Sequence, residues 1–535
     1  VHSRDMELLE ELFPRVHAGI SLSHSACPFS GLDLDALSRS LSWISVPPEP
    51  TAMAPLRSRR RPDAYWSLSY TGPESLEHGL SHARWLVWRA AFNGFRSIVW
   101  DGALDNPDSH GLPQAITLDG RPTPLLEALS ETAETARNTI GTMAQQGYLG
   151  HSGVAIYVNR PSYYLSHFNP GGAATLPEAQ ERLHRALQDL GYQADLIAYP
   201  ELTGERLDEY TVLVLPMIKA LEAEEIAALE AFVEEGGVLI AAGLPGTHNA
   251  SGVKRDVSPL VGLFAQDERH EVTAEVEDEG NGDDEENESE KVHVTPLIAW
   301  RDAGEDGEDR TIKTMLLAGD LPEYGAGAEA DEALRGALDS AMRNAGLRPI
   351  VELFQEENWF PGERVGFRFG EATLVGLLRD PVRGRDQTRL SLNLSGEGYV
   401  YDLIGGEPVT RPQRISARLG PGEAALYSVL PYEVTELAML GPEQVMAGER
   451  IPVALALRTQ DGLPGKHWIR LRLEDPTRET VSYHSQTIEA RDGRAQAYFP
   501  LAHNQRPGRY RVIARDMLTG RTATSYVNVV RLTME

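Results

Sequence analysis

Over the first 350 residues, short apolar runs alternate with longer stretches of helical spacing. Residues 17–22, 43–46, 64–70 and 97–100 are short, continuous and apolar, as buried strands are. Pro47-Pro48 closes the second run and Gly72-Pro73 the third. Helical spacing occupies 34–41, 80–92 and 124–145, the last with Leu125, Leu129, Ala133, Ala136 and Ile140 on one stripe. Buried strands separated by helices predict a parallel sheet, either open or closed into a barrel.

The same rhythm continues in a second block. Strands are predicted at 153–158, 194–198, 212–215 and 238–242, with helices at 177–190 and 223–235. Pro177 suits a first helical turn, and Gly236-Gly237 a helix end. This order predicts a flavodoxin-like layered domain. Residues 330–345 have helical spacing, and from Ile350 the period becomes two. Strands at 373–378, 389–394, 399–403, 415–419 and 424–429 are spaced as a compact β-sandwich, and another all-β unit follows Pro431. The expected organisation is α/β plus all-β. Residues 1–150 form one α/β domain, 151–350 a second with an acidic insertion at 271–312, 351–435 a small β-sandwich, and 436–535 an immunoglobulin-like β-sandwich.

Composition narrows the function. A chain of 535 residues with net charge −29 repels phosphate backbones, which argues against nucleic-acid partners. Residues 275–290 hold ten acids in sixteen positions and 302–309 five more, about half the excess charge. That pattern reads as a solvated loop; its glycines and acids lack the ligand spacing of a calcium loop. Only five lysines are present: Lys219, Lys254, Lys291, Lys313 and Lys466. The single cysteine, Cys27, rules out an intramolecular disulfide and cysteine-based zinc or iron–sulfur sites. No metal and no cofactor is expected. No run approaches 18 apolar residues and no leader pattern opens the sequence, so no membrane partner and a cytoplasmic location are expected. The chain starts at Val1, and an upstream portion is expected to be missing.

Three stretches carry a resemblance to a known family. They are 210–216 (YTVLVLP), 223–237 (AEEIAALEAFVEEGG) and 239–243 (LIAAG), followed far downstream by 420–430 (GPGEAALYSVL). They resemble the family-42-type β-galactosidases, as a divergent or N-terminally truncated relative. The resemblance implies a partial (β/α)8 TIM-type barrel, a flavodoxin-like trimerisation domain and C-terminal β-sandwich domains. It implies carbohydrate as substrate or ligand, and a homotrimer. Only about 150 residues precede the second domain, where a full barrel needs about 250. Residues 43–46, 64–70 and 97–101 then correspond to strands six, seven and eight, and the family's acid/base Glu after strand four has no counterpart here.

Retaining glycosidases use two carboxyls about 5–5.5 Å apart. Aligning 65–73 (YWSLSYTGP) with the family's strand seven puts Leu68 where the nucleophilic Glu belongs. Glu74 lies just beyond and is the catalytic candidate if the loop shifts; otherwise it is a solvated loop acid, as is Glu77. Trp100 and Asp101 end the last strand, where barrels line their active face. An indole can stack on a sugar ring and a carboxylate can accept its hydroxyls. The alternative is that Trp100 plugs the barrel and Asp101 caps a turn. Trp66 and Tyr70 are further substrate-binding candidates, with core packing as the alternative. His24 and Cys27 share a loop without the context of a nucleophile pair. The turn 216–219 (PMIK) has no Cys, which excludes an amidotransferase nucleophile, and 243–246 (GLPG) makes no phosphate loop. Two readings follow. One is a glycoside-hydrolase-like protein of β-galactosidase type that lacks its full machinery in this chain and is inactive alone. The other is a non-catalytic carbohydrate-binding or assembly protein on the same scaffold.

Overall fold

The computed structural model describes residues 19–21, 37–39, 41–58, 64–70, 79–100, 115–117, 119–146, 148–150, 152–168, 175–202, 205–264, 269–271, 297–302, 312–317, 321, 324, 328–353, 360–383, 388–394, 398–409, 415–460 and 462–531. Glu74, Asp101, His24, Cys27 and the acidic run 275–290 lie outside them.

In chain order the first elements are β1 (Gly19–Ser21), β2 (Trp43–Val46), α1 (Pro50–Ser58), β3 (Tyr65–Tyr70), α2 (Gly79–Phe92), β4 (Ser97–Trp100), α3 (Pro124–Thr139), α4 (Gly141–Gln146) and β5 (Tyr148–Leu149). Next come β6 (Val154–Tyr157), α5 (Arg160–Phe168), α6 (Leu176–Leu190), β7 (Ala194–Ile197), α7 (Tyr199–Leu202), β8 (Val212–Pro216), α8 (Ala223–Glu234), β9 (Val238–Ala242) and α9 (Val261–Phe264). Then follow β10 (Arg269–Glu271), β11 (Leu297–Asp302), β12 (Ile312–Leu317) and α10 (Ala328–Asn344). The rest is β: β13 (Glu352–Leu353), β14 (Gly362–Phe369), β15 (Ala372–Arg379), β16 (Thr388–Asn393), β17 (Tyr399–Asp402), β18 (Glu407–Pro408), β19 (Ile415–Leu419), β20 (Ala424–Leu430) and β21 (Val434–Leu440). The chain closes with β22 (Gln444–Met446), β23 (Arg450–Thr459), β24 (His467–Glu474), β25 (Gln486–Ala490), β26 (Arg494–Pro500), β27 (Gly508–Asp516) and β28 (Thr522–Val530). The chain divides into two compact units, 1–69 with 151–350, and 70–150 with 351–535.

In the first unit β1, β2 and β3 run parallel, with Gly19 opposite Trp43 and Trp43 opposite Tyr65. Helix α1 opens at Pro50, where the missing N–H costs nothing, and the Glu49 carbonyl accepts from the Ala52 and Met53 amides. Its far end is tied down: Arg57 donates to the Ala194 carbonyl, and the Leu196 amide donates to Ser58 Oγ at 2.9 Å. The main sheet has the order β10-β11-β12-β9-β8-β6-β7. Counting only its parallel strands, the order is 2-1-3-4-5, the flavodoxin-like arrangement. Val212–Pro216 and Val238–Ala242 are buried at every position, as strands covered on both faces must be. Helix α6 begins with a capping box between Thr175 and Glu178 and stops at Gly191, whose φ of 87° only glycine adopts cheaply.

In the second unit one sheet has the order β18-β17-β20-β15-β14-β5, and β13-β16-β19 forms another. The last module pairs β21-β23-β26 with β22-β28-β27-β24-β25. Burial along β23 alternates residue by residue, as expected for a strand with one wet face. A continuous core joins Phe92, Phe367, Leu374, Leu471 and Val512. The α/β plus all-β class expected from the pattern is what the structure has. The single helix expected over 124–145 is instead two, broken after Thr139. A Cβ at Gly141 would sit 3.3 Å from the Met517 methyl, so glycine lets the chain pass there. Strand β14 (GERVGFRF) escapes periodicity because it buries charges. Its Arg364 donates through Nη1 to the Val351 carbonyl at 2.8 Å, and its Glu363 accepts from Arg89 and from Asn93 Nδ2 at 3.0 Å.

Candidate functional site at the strand ends

The carboxyl ends of parallel strands are where barrel enzymes place their chemistry. At β3 the pattern YWSLSY buries Trp66 through Tyr70. Its neighbour β2 supports it: Val46 lies opposite Leu68, and Trp43 Nε1 donates to Ser67 Oγ at 2.8 Å. Leu68, the position aligned with the nucleophile, is completely buried and carries no ionisable group. Trp66 is buried too, and its indole N–H meets no acceptor among the described residues.

Tyr70 ends β3 and Trp100 ends β4. Their rings meet edge to face, with centroids 5.2 Å apart and planes at 86°, a favoured aromatic geometry. Tyr70 is buried and Trp100 half-buried. Trp100 also lines an open groove of about 410 Å³ with Arg96, Ile98, Leu129, Ala133 and Arg137. Small side chains make that space: Ala90 and Ala91 on α2, and Ala133 and Ala136 on α3. The helical stripe that predicts α3 therefore splits. Leu125 and Ile140 enter the core, whereas Leu129, Ala133 and Ala136 line the groove. An indole beside an apolar floor with two guanidiniums can hold a polyhydroxylated ring by stacking and hydrogen bonds.

Pattern reading missed this groove, which is formed by residues far apart in sequence. It also missed Glu49, the only carboxylate among the described residues before position 101. Glu49 sits after β2 at the start of α1, where a negative charge suits the helix dipole. An acid immediately before a proline was the available signal. Among the described residues no carboxylate pair faces the strand ends of the barrel portion, and no group of three His, Cys, Asp or Glu could hold a metal.

Flavodoxin-like domains usually bind ligands where the strand order reverses, here between β6 and β8. In this chain that crevice is filled. Glu225, buried, accepts from Tyr157 Oη, from Asn159 Nδ2 at 2.8 Å and from the Glu222 amide at 2.6 Å. Asn159 also donates to the Ala220 carbonyl at 2.8 Å; Ser162 Oγ donates to that carbonyl at 3.1 Å and accepts from the Ala220 amide at 2.9 Å. Burial first, and then the Glu225 carboxylate, push the Tyr157 phenol well above its ordinary range, so it stays protonated and donating. After β8 the chain turns at Met217, a non-glycine residue with φ of 53°. A nucleophile elbow puts its nucleophile at such a position; here it holds the thioether of Met217.

A parallel strand–helix segment, a flavodoxin-like domain and β-sandwiches follow one another along the chain. Residues 172–258 match the family model described as the β-galactosidase trimerisation domain. The chain has the fold of solved β-galactosidases. With the enzyme from Bacillus circulans sp. alkalophilus the TM-score is 0.58 at 12% identity, covering 80% of this chain and 66% of that one. With a catalytic mutant of the family-42 β-galactosidase from G. stearothermophilus it is 0.53 at 16% identity, covering 79% and 65%. A further structure of that G. stearothermophilus enzyme gives 0.53 at 15%, covering 78% and 64%. The chain thus spans just under two thirds of the length of each. No curated protein matches its sequence.

Proposed function

We propose that this chain is a carbohydrate-binding protein on a β-galactosidase scaffold, without β-galactosidase turnover of its own, that assembles as a homotrimer through its flavodoxin-like domain. The observation that carries the reading is the pairing of Tyr70 and Trp100 at adjacent strand ends beside a groove, with a buried leucine where the nucleophile would be. Trp100 supplies the stacking face, with Asp101 next to it in sequence to accept hydroxyls; Trp66 and Tyr70 remain the further substrate-binding candidates. With the aligned nucleophile position apolar, covalent cleavage has no group there unless Glu74 supplies one. The trimer is supported by the match of 172–258 to a trimerisation domain. No helix among the described residues is long and apolar enough to cross a membrane.

The test has two arms. Purified protein should quench its tryptophan fluorescence on titration with galactose, and Trp100→Ala should abolish most of that change. An aryl β-galactoside should be turned over at background rate by the wild type, Glu74→Gln and Asp101→Asn alike. Robust turnover abolished by Glu74→Gln would restore the enzyme reading.

A further inference from the structure

One side of the last five-stranded sheet is basic, in a chain whose overall sign is strongly acidic. Residues two apart share a face of a strand, so Arg470 and Arg472 project from one side of β24, opposite to the buried Ile469, Leu471 and Leu473. Register sets Arg515 of β27 directly across from Arg470, and Thr522 of β28 across from Arg515. Thr487 of β25 flanks Arg470 on the other side and accepts from its Nη1 at 3.1 Å. Like charges placed directly opposite one another destabilise a sheet.

Helix α3 runs beside this row. Glu134 accepts from Arg472 Nη1 at 3.1 Å, and Arg137 follows one turn later. Burial first, and then the charges of Arg137 and Arg472, hold the Arg470 guanidinium below its ordinary value. Burial, and then Arg472, do the same to Arg515. Glu134 is the one carboxylate that pairs with the row. Asp516, next to Arg515 in sequence, is engaged by His467 Nδ1 at 2.9 Å and by Thr519. The buried Nε atoms of Arg470 and Arg515 meet no acceptor among the described residues. The exposed guanidinium of Arg137 makes no hydrogen bond or ion pair among them.

Arg137 is also where the row meets the groove of Trp100. It lines that groove with Arg96, and no carboxylate among the described residues does. In a chain with 79 acidic and 50 basic residues this is a local reversal of sign. We propose that the groove takes an anionic sugar, its ring against Trp100 and its carboxylate or sulfate on Arg137, in the field of Arg470, Arg472 and Arg515. This rests on the carbohydrate-binding reading and names the class of sugar. A guanidinium presents paired N–H donors that match two oxygens of a carboxylate or sulfate. A ligand anion also relieves the repulsion within the row, which a neutral sugar cannot do. A polynucleotide meets the repulsion of the whole chain at −29, whereas one acidic sugar meets the local field, because charges beyond about 10 Å are screened.

Isothermal titration calorimetry with galactose, galacturonate, a galactose monosulfate and sodium sulfate is the test. At low salt an acidic sugar should bind about tenfold or more tightly than galactose, and added sodium chloride should shrink that ratio. Whichever acid binds more tightly identifies the group as carboxylate or sulfate. Arg137→Gln should bring the ratio near one with unchanged circular dichroism, because this side chain is exposed and unpartnered among the described residues. Arg470→Gln should lower the ratio less. Arg458→Gln, an exposed arginine of the other sheet of the module, should leave it at the wild-type value. Equal affinities for galactose and both acids, or a ratio that survives Arg137→Gln, overturn the anionic class and leave carbohydrate binding standing. Sodium sulfate binding as tightly as the sugar sulfate overturns it as a sugar site. No binding of any of the three sugars overturns both readings.

Discussion

Replacing Glu225 with alanine should destabilise the first unit by about 2–4 kcal/mol, and the structure dictates how that figure divides. Three donors lose their acceptor: Tyr157 Oη, one of the two bonds of Asn159, and the Glu222 amide. Asn159 keeps the Ala220 carbonyl and loses little. Tyr157 is completely buried, so its stranded hydroxyl costs about 1–3 kcal/mol. The Glu222 amide is the helix-capping contact of α8, and losing such a contact costs about 1 kcal/mol. Relief from burying a carboxylate offsets part of this. Glu225→Gln should cost less, about 1–2 kcal/mol, since one oxygen still serves Tyr157 and Asn159 while the new amide faces the Glu222 N–H. Urea unfolding followed by circular dichroism measures both, read on the transition of the first unit. The decisive step is a double-mutant cycle. Tyr157→Phe removes the stranded hydroxyl, so in the Glu225→Ala background it should restore about 1 kcal/mol, whereas alone it should destabilise. A cost below about 1 kcal/mol for Glu225→Ala, or a Tyr157→Phe effect that is the same in both backgrounds, would refute the account of a self-satisfied crevice.

Two further predictions concern the second unit. Gly422→Ala should cost about 3–4 kcal/mol, because its Cβ would lie 2.0 Å from the Ser81 carbonyl oxygen at a φ of 73°; a melting-temperature change within error would show that the two segments part easily. Burial raises the Asp380 carboxyl, but Arg383 at 2.9 Å and the amides of Arg383 and Val382 outweigh it and hold the group below the usual carboxylate range. With its folded value depressed, Asp380 contributes stability that is full above the unfolded value of about 4 and is lost as pH falls through the folded one. Asp380→Asn should therefore flatten part of the acid limb of the stability curve, and an unchanged slope below about pH 4 would count against it.

Local pattern determined much of this protein. Val212–Pro216 and Val238–Ala242 could be read as buried strands because both faces are covered, which makes every position apolar. Pro177 marked the first turn of α6 and Gly236-Gly237 the end of α8, through terminal chemistry that acts within a few residues. The β units were legible from alternation, as along β23. The aromatic residues at the strand ends were legible as candidates because a strand's end is a local property. What only the tertiary structure decided involves groups far apart in sequence. The pairing of Tyr70 with Trp100 needs two strand ends brought together, and the groove needs α2 and α3 side by side. Strand β14 reads as polar until Arg89 and Asn93 arrive on Glu363 and the Val351 carbonyl on Arg364. Glu225 looks like any solvated helix acid until Tyr157 and Asn159 close over it. Periodicity records which side of an element is wet. It cannot record which distant donor will satisfy a buried charge, because that depends on how the elements pack.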